Sequence, residues 1–240
     1  GNSPELLYFD VTRGDVPVNS VDVSYEAAKG IGYIKVSKFA RNTYNEFITA
    51  IAKLKQAGCT SFVIDLRGNT GGYMDAAINM INEFMPEGRL IVYTEGKSFP
   101  RSDVYANGTG TCKDAPIVVL TDEISASASE IFSGAIQDND RGTIIGRRTY
   151  GKGLVQTQMS LSDGSEMRLT IARYYTPSGR CIQKKYEMGN TDAYDQDIYN
   201  RYMHGEFDSA DSIKMDDSLK YQTVGGRTVY GGGGIMPDIF

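Results

Sequence analysis

Short β-rich apolar runs alternate along this chain with stretches of helical apolar spacing, and that alternation constrains the fold most. Ile31–Val36 (IGYIKV) is rich in β-formers and predicts a strand. Thr43 and Glu46 then make a capping-box pattern. Phe47, Ile48, Ile51 and Leu54 recur at helical spacing, and Gly58 marks a stop. Ser61–Leu66 (SFVIDL) follows as a buried strand. A strand–helix–strand order implies a crossover joining parallel strands. The pattern continues with RGNTGG (67–72) leading into a helix that carries Ala77, Ile78, Ile81 and Phe84. Leu90–Thr94 reads as a strand, and the stretch from there to Asp114 as irregular and polar. Pro116–Leu120 (PIVVL) is a second buried strand. A helix with Ile131, Phe132, Ala135 and Ile136 and a strand at Thr143–Gly146 complete the series. The expected class is α/β with a mostly parallel sheet.

The flanks differ. Residues 1–30 read as an extended polar lead-in with partial alternation over Val16–Val23. Leu154–Leu161, the turn at 162–165 and Glu166–Tyr174 form a β-hairpin pattern. Residues 184–218 are acidic, Tyr-rich and poor in aliphatics, and predict a solvated insertion. Asp192, Asp195 and Asp197 within it lack the ligand ladder and turn glycine of a calcium loop. Gly231–Gly234 reads as a flexible turn into Ile235-Met236-Pro237-Asp238. The 240 residues fit one large α/β domain.

Composition removes whole classes of function. With 40% hydrophobic and 23% charged residues the chain is globular rather than disordered. No apolar run has bilayer length. A net charge of -5 argues against binding the phosphate backbone of nucleic acid. Cys59, Cys112 and Cys181 lie far apart and give no metal-ligand spacing. The single histidine, His204, sits in the polar stretch NRYMHGEFDSADS and reads as a surface side chain. Without it, Ser-His-Asp triads and His-based zinc sites fall away. A hydrolase built on this chain needs another base.

Three segments carry chemistry. Ser125-Ala126-Ser127-Ala128-Ser129-Glu130 lies between the buried strand PIVVL and a helix, where free N–H groups and a positive dipole end are available. A serine there is either a helix cap or a nucleophile, though three serines alternating with alanine exceed what capping needs. Lys152 is flanked by Gly151 and Gly153. It is either a solvated loop lysine or a base. A lysine near 10.4 needs lowering to about 7–8 to take a proton from serine, roughly 4 kcal/mol of discrimination against the ammonium. Burial of Lys152 is therefore expected if it is a base. Arg67-Gly68-Asn69-Thr70-Gly71-Gly72 lies at the carboxyl end of SFVIDL, where open α/β sheets bind ligands. It matches neither dinucleotide nor P-loop spacing, so it reads as an anion-holding loop or a plain turn.

Together with GIGYIKVSKF (30–39), VIDLRGNTGG (63–72), LTDEISASASEIFSGAIQD (120–138), IIGRRTYGKGLVQT (144–157), YYTPSGRCIQ (174–183) and GGGIMPDI (232–239), these segments resemble the catalytic domain of the C-terminal processing peptidases. These tail-specific proteases are a Ser/Lys serine peptidase family. The resemblance implies a Clp protease/crotonase-like core with β-β-α units and a β-hairpin-rich C-terminal part. It implies Ser127 as nucleophile, Lys152 as base and Gln156 as the residue orienting it. It also implies an oxyanion hole of the Ala128 and Gly71 N–H groups, Gly71 being favoured over Gly72, with Arg67 and Asn69 holding the loop. A PDZ domain normally precedes this region, and FDVTRGDVPVNSVDV resembles the junction leaving one. Residues 1–22 are then a lead-in and 23–240 the catalytic domain, with 184–218 outside the shared pattern. No cofactor or metal is implied. The expected substrates are proteins or peptides cleaved near their C-termini through an acyl-enzyme. The implied location is extracytoplasmic, in the periplasm or cell envelope. Two alternatives are an inactive peptide-binding scaffold of the same fold and an acyl-CoA enzyme on the related crotonase-like architecture.

Overall fold

The computed structural model describes residues 8–14, 18–186, 189, 191–213 and 215–240. In chain order the elements are β1 (Val21–Ala28), β2 (Ile31–Val36), α1 (Thr43–Gln56), β3 (Ser61–Asp65), α2 (Met74–Asn82), β4 (Leu90–Gly96), β5 (Phe99–Tyr105), β6 (Ile117–Thr121), α3 (Ala128–Asp138) and β7 (Thr143–Gly146). Then come β8 (Leu154–Ser160), β9 (Glu166–Tyr175), α4 (Thr191–Met203), β10 (Lys220–Gln222) and β11 (Thr228–Tyr230). The class is mixed α/β with a hairpin-rich C-terminal part, as expected.

The main sheet runs β1-β2-β3-β6-β7. The last four strands are parallel, and β1 pairs antiparallel with β2. The parallel strands read as apolar runs because helices cover them. α1 turns Phe47, Ala50, Ile51 and Leu54 onto the sheet. Gly32 lets it lie close, since a Cβ there would stand 2.8 Å from Leu54 Cδ1. Phe84, just past α2, sits among the rings of Phe47, Phe62 and Phe132 at 6.2, 6.3 and 6.5 Å, all edge-on. Each such buried ring contributes roughly 1.5–3 kcal/mol.

The second sheet runs β5-β4-β9-β8. Within it Tyr93–Glu95 of β4 pair with Arg173–Tyr175 of β9, and Ile91 and Val92 of β4 reach into the core.

Four expectations need correction. The lead-in is shorter at its C-terminal end, because β1 begins at Val21; Val16 and Pro17 lie outside the described residues. β1 is mostly exposed, so its edge position left only a weak alternation. The stretch after Thr94 is not irregular: β5 pairs with β4, and its mostly exposed side chains conceal it in the sequence. Thr43 and Glu46 do not form a capping box. Asn42 is the N-cap, and the Glu46 carboxylate accepts from Ser20 N (2.7 Å) and Val21 N (2.9 Å), tying β1 to α1. Finally, the 184–218 stretch is not simply solvated. It contains α4, whose Arg201 is buried.

Candidate active site

The site forms where β3, β6 and β7 end. After β6 the chain turns through Asp122–Ser127 into α3. The outer serines of the alternating run face inward. Ser125 Oγ donates to Leu66 O (2.8 Å) and Ser129 Oγ to Asn69 O (2.9 Å), both buried. They stitch this turn to the RGNTGG loop. Ser127, between them, is half-buried and lines an open cleft. Its backbone has φ 56° and ψ -112°. Among the described residues only Ser127 and Asp140 are non-glycines with positive φ. Such a conformation costs on the order of 1–3 kcal/mol and concentrates at functional turns.

Glu130, in the first turn of α3, is fully buried. Its Oε2 accepts from Ser127 N (2.7 Å) and Lys152 N (2.8 Å), and its Oε1 from Thr149 Oγ1 (2.6 Å) and Gly151 N (2.6 Å). Burial pushes its carboxyl above the ordinary value, against the pull of these four donors. One carboxylate thus fastens the Ser127 turn to the Lys152 loop. The motif SASASE contained Glu130, and Ser-x-x-Glu is legible as a cap. Its grip on residues 149–152 has no local signature.

The RGNTGG loop is held from below. Asp65 is buried and accepts from Tyr33 OH (2.6 Å), Arg67 N (2.8 Å) and Arg67 Nη2 (2.7 Å), with Lys35 Nζ at 3.3 Å. Burial opposes its ionisation, but these partners outweigh it and hold Asp65 down at about 2. Tyr33 is pushed up to about 12 by burial and by Asp65. Lys35 Nζ also donates to Arg67 O. Asn69 is buried; its Nδ2 donates to Val36 O (2.9 Å) and its Oδ1 accepts from Gly71 N (2.8 Å).

That last bond bears on the expected oxyanion pair. The Gly71 N–H points to Asn69 and is engaged, whereas the N–H groups of Gly72 and Ala128 have no acceptor among the described residues. Gly71 instead gives clearance. A Cβ there would stand 2.7 Å from both Ser127 Cβ and Ala126 O.

The cleft has a volume of about 500 Å³ and brings together Ser127, Lys152, Gln156, Gly71 and Gly72, joined by Tyr73 and Arg168. Lys152 and Gln156 are exposed, so the expected burial of the amine is not seen. Lys152 precedes β8 on a loop pinned by its backbone, and its side chain projects into the open cleft rather than into packed protein. No hydrogen bond joins Ser127 and Lys152 side chains among the described residues.

Other candidates lie elsewhere. His204 is exposed beyond α4, with Nδ1 2.6 Å from Asn200 O. The three cysteines are free, and burial pushes their thiols up. Among the described residues no three His, Cys, Asp or Glu side chains cluster to hold a metal, and no helix is long and apolar enough to cross a membrane.

Comparison with known proteins shows the family. The chain is 38% identical to a carboxyl-terminal-processing protease of Synechocystis over 179 residues, 73% of this chain and 42% of that protein. It is 38% identical to a chloroplastic C-terminal processing peptidase of Tetradesmus obliquus over 66% of this chain and 34% of that one. The solved photosystem II D1 C-terminal processing protease superposes with a TM-score of 0.63 at 35% identity, over 72% of this chain and 47% of that chain. The chain therefore spans less than half the length of these relatives. The model of peptidase family S41 matches residues 30–192, which cover both the Ser127 turn and the Lys152 loop, and the chain belongs to that family.

Proposed function

We propose that this chain is a serine endopeptidase in which Ser127 and Lys152 cleave polypeptides near their C-termini through an acyl-enzyme. One observation carries the reading. Of three alternating serines, two are consumed in buried hydrogen bonds, and the third stands in the cleft on a strained turn tied through Glu130 to the lysine loop. The catalytic unit begins with β1 at Val21, and the residues before it act as the segment leading into it.

In the first half-reaction Ser127 Oγ bonds to the scissile carbonyl carbon as its proton passes to the neutral amine of Lys152. The Ala128 and Gly72 N–H groups receive the oxyanion; both lack an internal acceptor, unlike Gly71. Lys152 returns the proton to the leaving amine nitrogen as the C–N bond breaks. Water then attacks the acyl-enzyme, Lys152 takes its proton, and Ser127 leaves protonated. Gln156 orients the lysine from β8. The lysine is exposed in the open cleft, so the substrate itself completes the site: a peptide laid across the cleft shields Ser127 and Lys152 from bulk water. Strand-wise pairing of that peptide to the free edge of β8 is the binding mode.

Cleavage of a denatured protein tests this. Ser127→Ala and Lys152→Ala are each expected to lower the rate by on the order of 10³-fold or more. A serine-directed acylating probe should label Ser127 in the parent chain and fail in Ser127→Ala. Undiminished activity in Ser127→Ala sinks the proposal. A proteome-derived peptide library read by mass spectrometry maps the cut sites; cuts spread evenly along peptides would remove the C-terminal preference.

A further inference from the structure

The peptidase reading leaves the acidic insertion and the glycine run without a task, and the two meet in one cavity. It has a volume of about 260 Å³, several times the roughly 30 Å³ that a liquid water occupies. Arg148, Lys184, Tyr194, Arg201, Gly232 and Gly233 are among its lining residues, and none of its lining residues borders the Ser127 cleft.

Charge is the first indication of a ligand. Lys184 and Arg201 are each 6% exposed. With Arg148 and Lys185 they bring four cations to the lining, against Asp197 in the lining and Glu206 behind the two arginines among the described residues. The local balance is positive in a chain whose net charge is -5. Burying a cation without full compensation is costly.

Unused donors are the second. Glu206 takes Arg148 Nε (2.7 Å) and Nη2 (2.6 Å), and Arg148 Nη1 has no acceptor among the described residues. The Lys184 ammonium donates to Tyr194 O (3.0 Å) and Asp197 Oδ2 (3.3 Å), which leaves one hydrogen of three. The rings of Tyr150 and Tyr194 hold it at 4.3 and 4.2 Å.

The backbone is the third. Gly233 is buried and its N–H has no acceptor among the described residues; the N–H of Gly232, at the exposed mouth, has none there either. Orphaned buried N–H groups are rare and point to a missing partner. Gly232, Gly233 and Gly234 all have positive φ, at 92°, 122° and 76°. A Cβ at Gly233 would stand 2.7 Å from Lys184 Cβ, so only glycine brings this backbone against that lysine.

We infer that this cavity binds a compact oxyanion of the phosphate type, held by Arg148, Lys184 and the Gly232 and Gly233 N–H groups. Guanidinium, ammonium and paired backbone N–H groups are the donor set that phosphate takes. The site lies behind the catalytic loop. Lys184 N donates to Gly151 O (2.9 Å), and Arg201 donates to the carbonyls of Arg148 (2.6 Å) and Thr149 (3.0 Å). An anion here braces the insertion against the loop that carries Lys152. That consequence for activity rests on the peptidase reading; the binding does not.

Inorganic phosphate, titrated against the whole chain at constant ionic strength with sodium chloride as balance, tests it without any substrate. The expected result is a saturable rise in the thermal unfolding midpoint and a saturable calorimetric isotherm. Sulfate should reproduce both and acetate neither. Arg148→Gln should weaken binding by on the order of tenfold or more, with partial recovery in Arg148→Lys. Should Arg148→Gln fail to fold, Lys184→Met and phosphorus NMR of the parent chain carry the same comparison. No saturable binding by the parent chain, or equal binding by the variants that fold, overturns the site and leaves a cavity that holds water only. An equal response to acetate overturns the phosphate assignment. Loss of cleavage in Ser127→Ala is read separately, so the two proposals fail independently.

Discussion

Four donors meet on the Glu130 carboxylate, one from the serine turn and three from residues 149–152. An amide cannot replace it. In Glu130→Gln one terminal atom becomes NH₂ and faces donors that need an acceptor, in a fully buried place. Each donor left unsatisfied costs about 1–3 kcal/mol. Glu130→Gln should therefore lose cleavage activity and also shift the urea midpoint downward. An unchanged midpoint would show that the carboxylate is not the clasp described. At this scale the sequence reveals identity better than duty. The family resemblance implies Ser127, but only contacts across the fold show that Ser125 and Ser129 are engaged by Leu66 and Asn69 while Ser127 caps α3 at the edge of the cleft. The choice between Gly71 and Gly72 turns on the direction of one N–H, which an Asn two residues upstream decides and no spacing rule contains.

The elements that were legible are those with a covered face. β2, β3 and β6 are apolar runs in which residues on one face are buried and most on the other are half-buried, and α1 and α3 repeat apolar residues every three or four positions. β1 and β5 expose most of their side chains, so β1 leaves only a weak alternation and β5 none to read. α4 is concealed for a different reason: it is anchored by charge rather than by grease. Arg201 donates to Glu206 Oε1 (2.8 Å) and to the carbonyls of Arg148 and Thr149, and composition alone counts such residues as solvent-facing. Removing it leaves Glu206 half-paired and two carbonyls bare. Arg201→Met should cost about 3 kcal/mol and open the 184–218 segment to limited proteolysis, with cuts appearing first within that segment. A digestion pattern identical to that of the parent chain would mean that α4 is held by something else.

Stability of the whole molecule in acid depends on the carboxylate that ties β2 to β3. Asp65 titrates at about 2 in the folded chain, below its ordinary 3.8. A depressed carboxylate stabilises above its unfolded value, and that contribution fades as pH falls through the window from about 4 to about 2. The linkage is worth roughly 2 kcal/mol. Asp65→Asn should be less stable than the parent at pH 6, and the gap should narrow toward pH 2 in denaturant titrations; a constant gap would remove Asp65 as the source. At this scale, too, residues distant in the chain complete the site. Gly146 N donates to Ile239 O (2.9 Å), Asp238 N to Ile144 O (2.8 Å) and Thr149 N to Ile235 O (3.1 Å), while Ile235 N donates to Thr149 Oγ1 (2.6 Å). The strand and loop that deliver Lys152 are thus latched by residues 235–239. A ribosome makes the serine turn and the lysine loop before it makes this latch. Until residues 235–239 emerge, the segment that carries Lys152 lacks these four bonds to hold it in place.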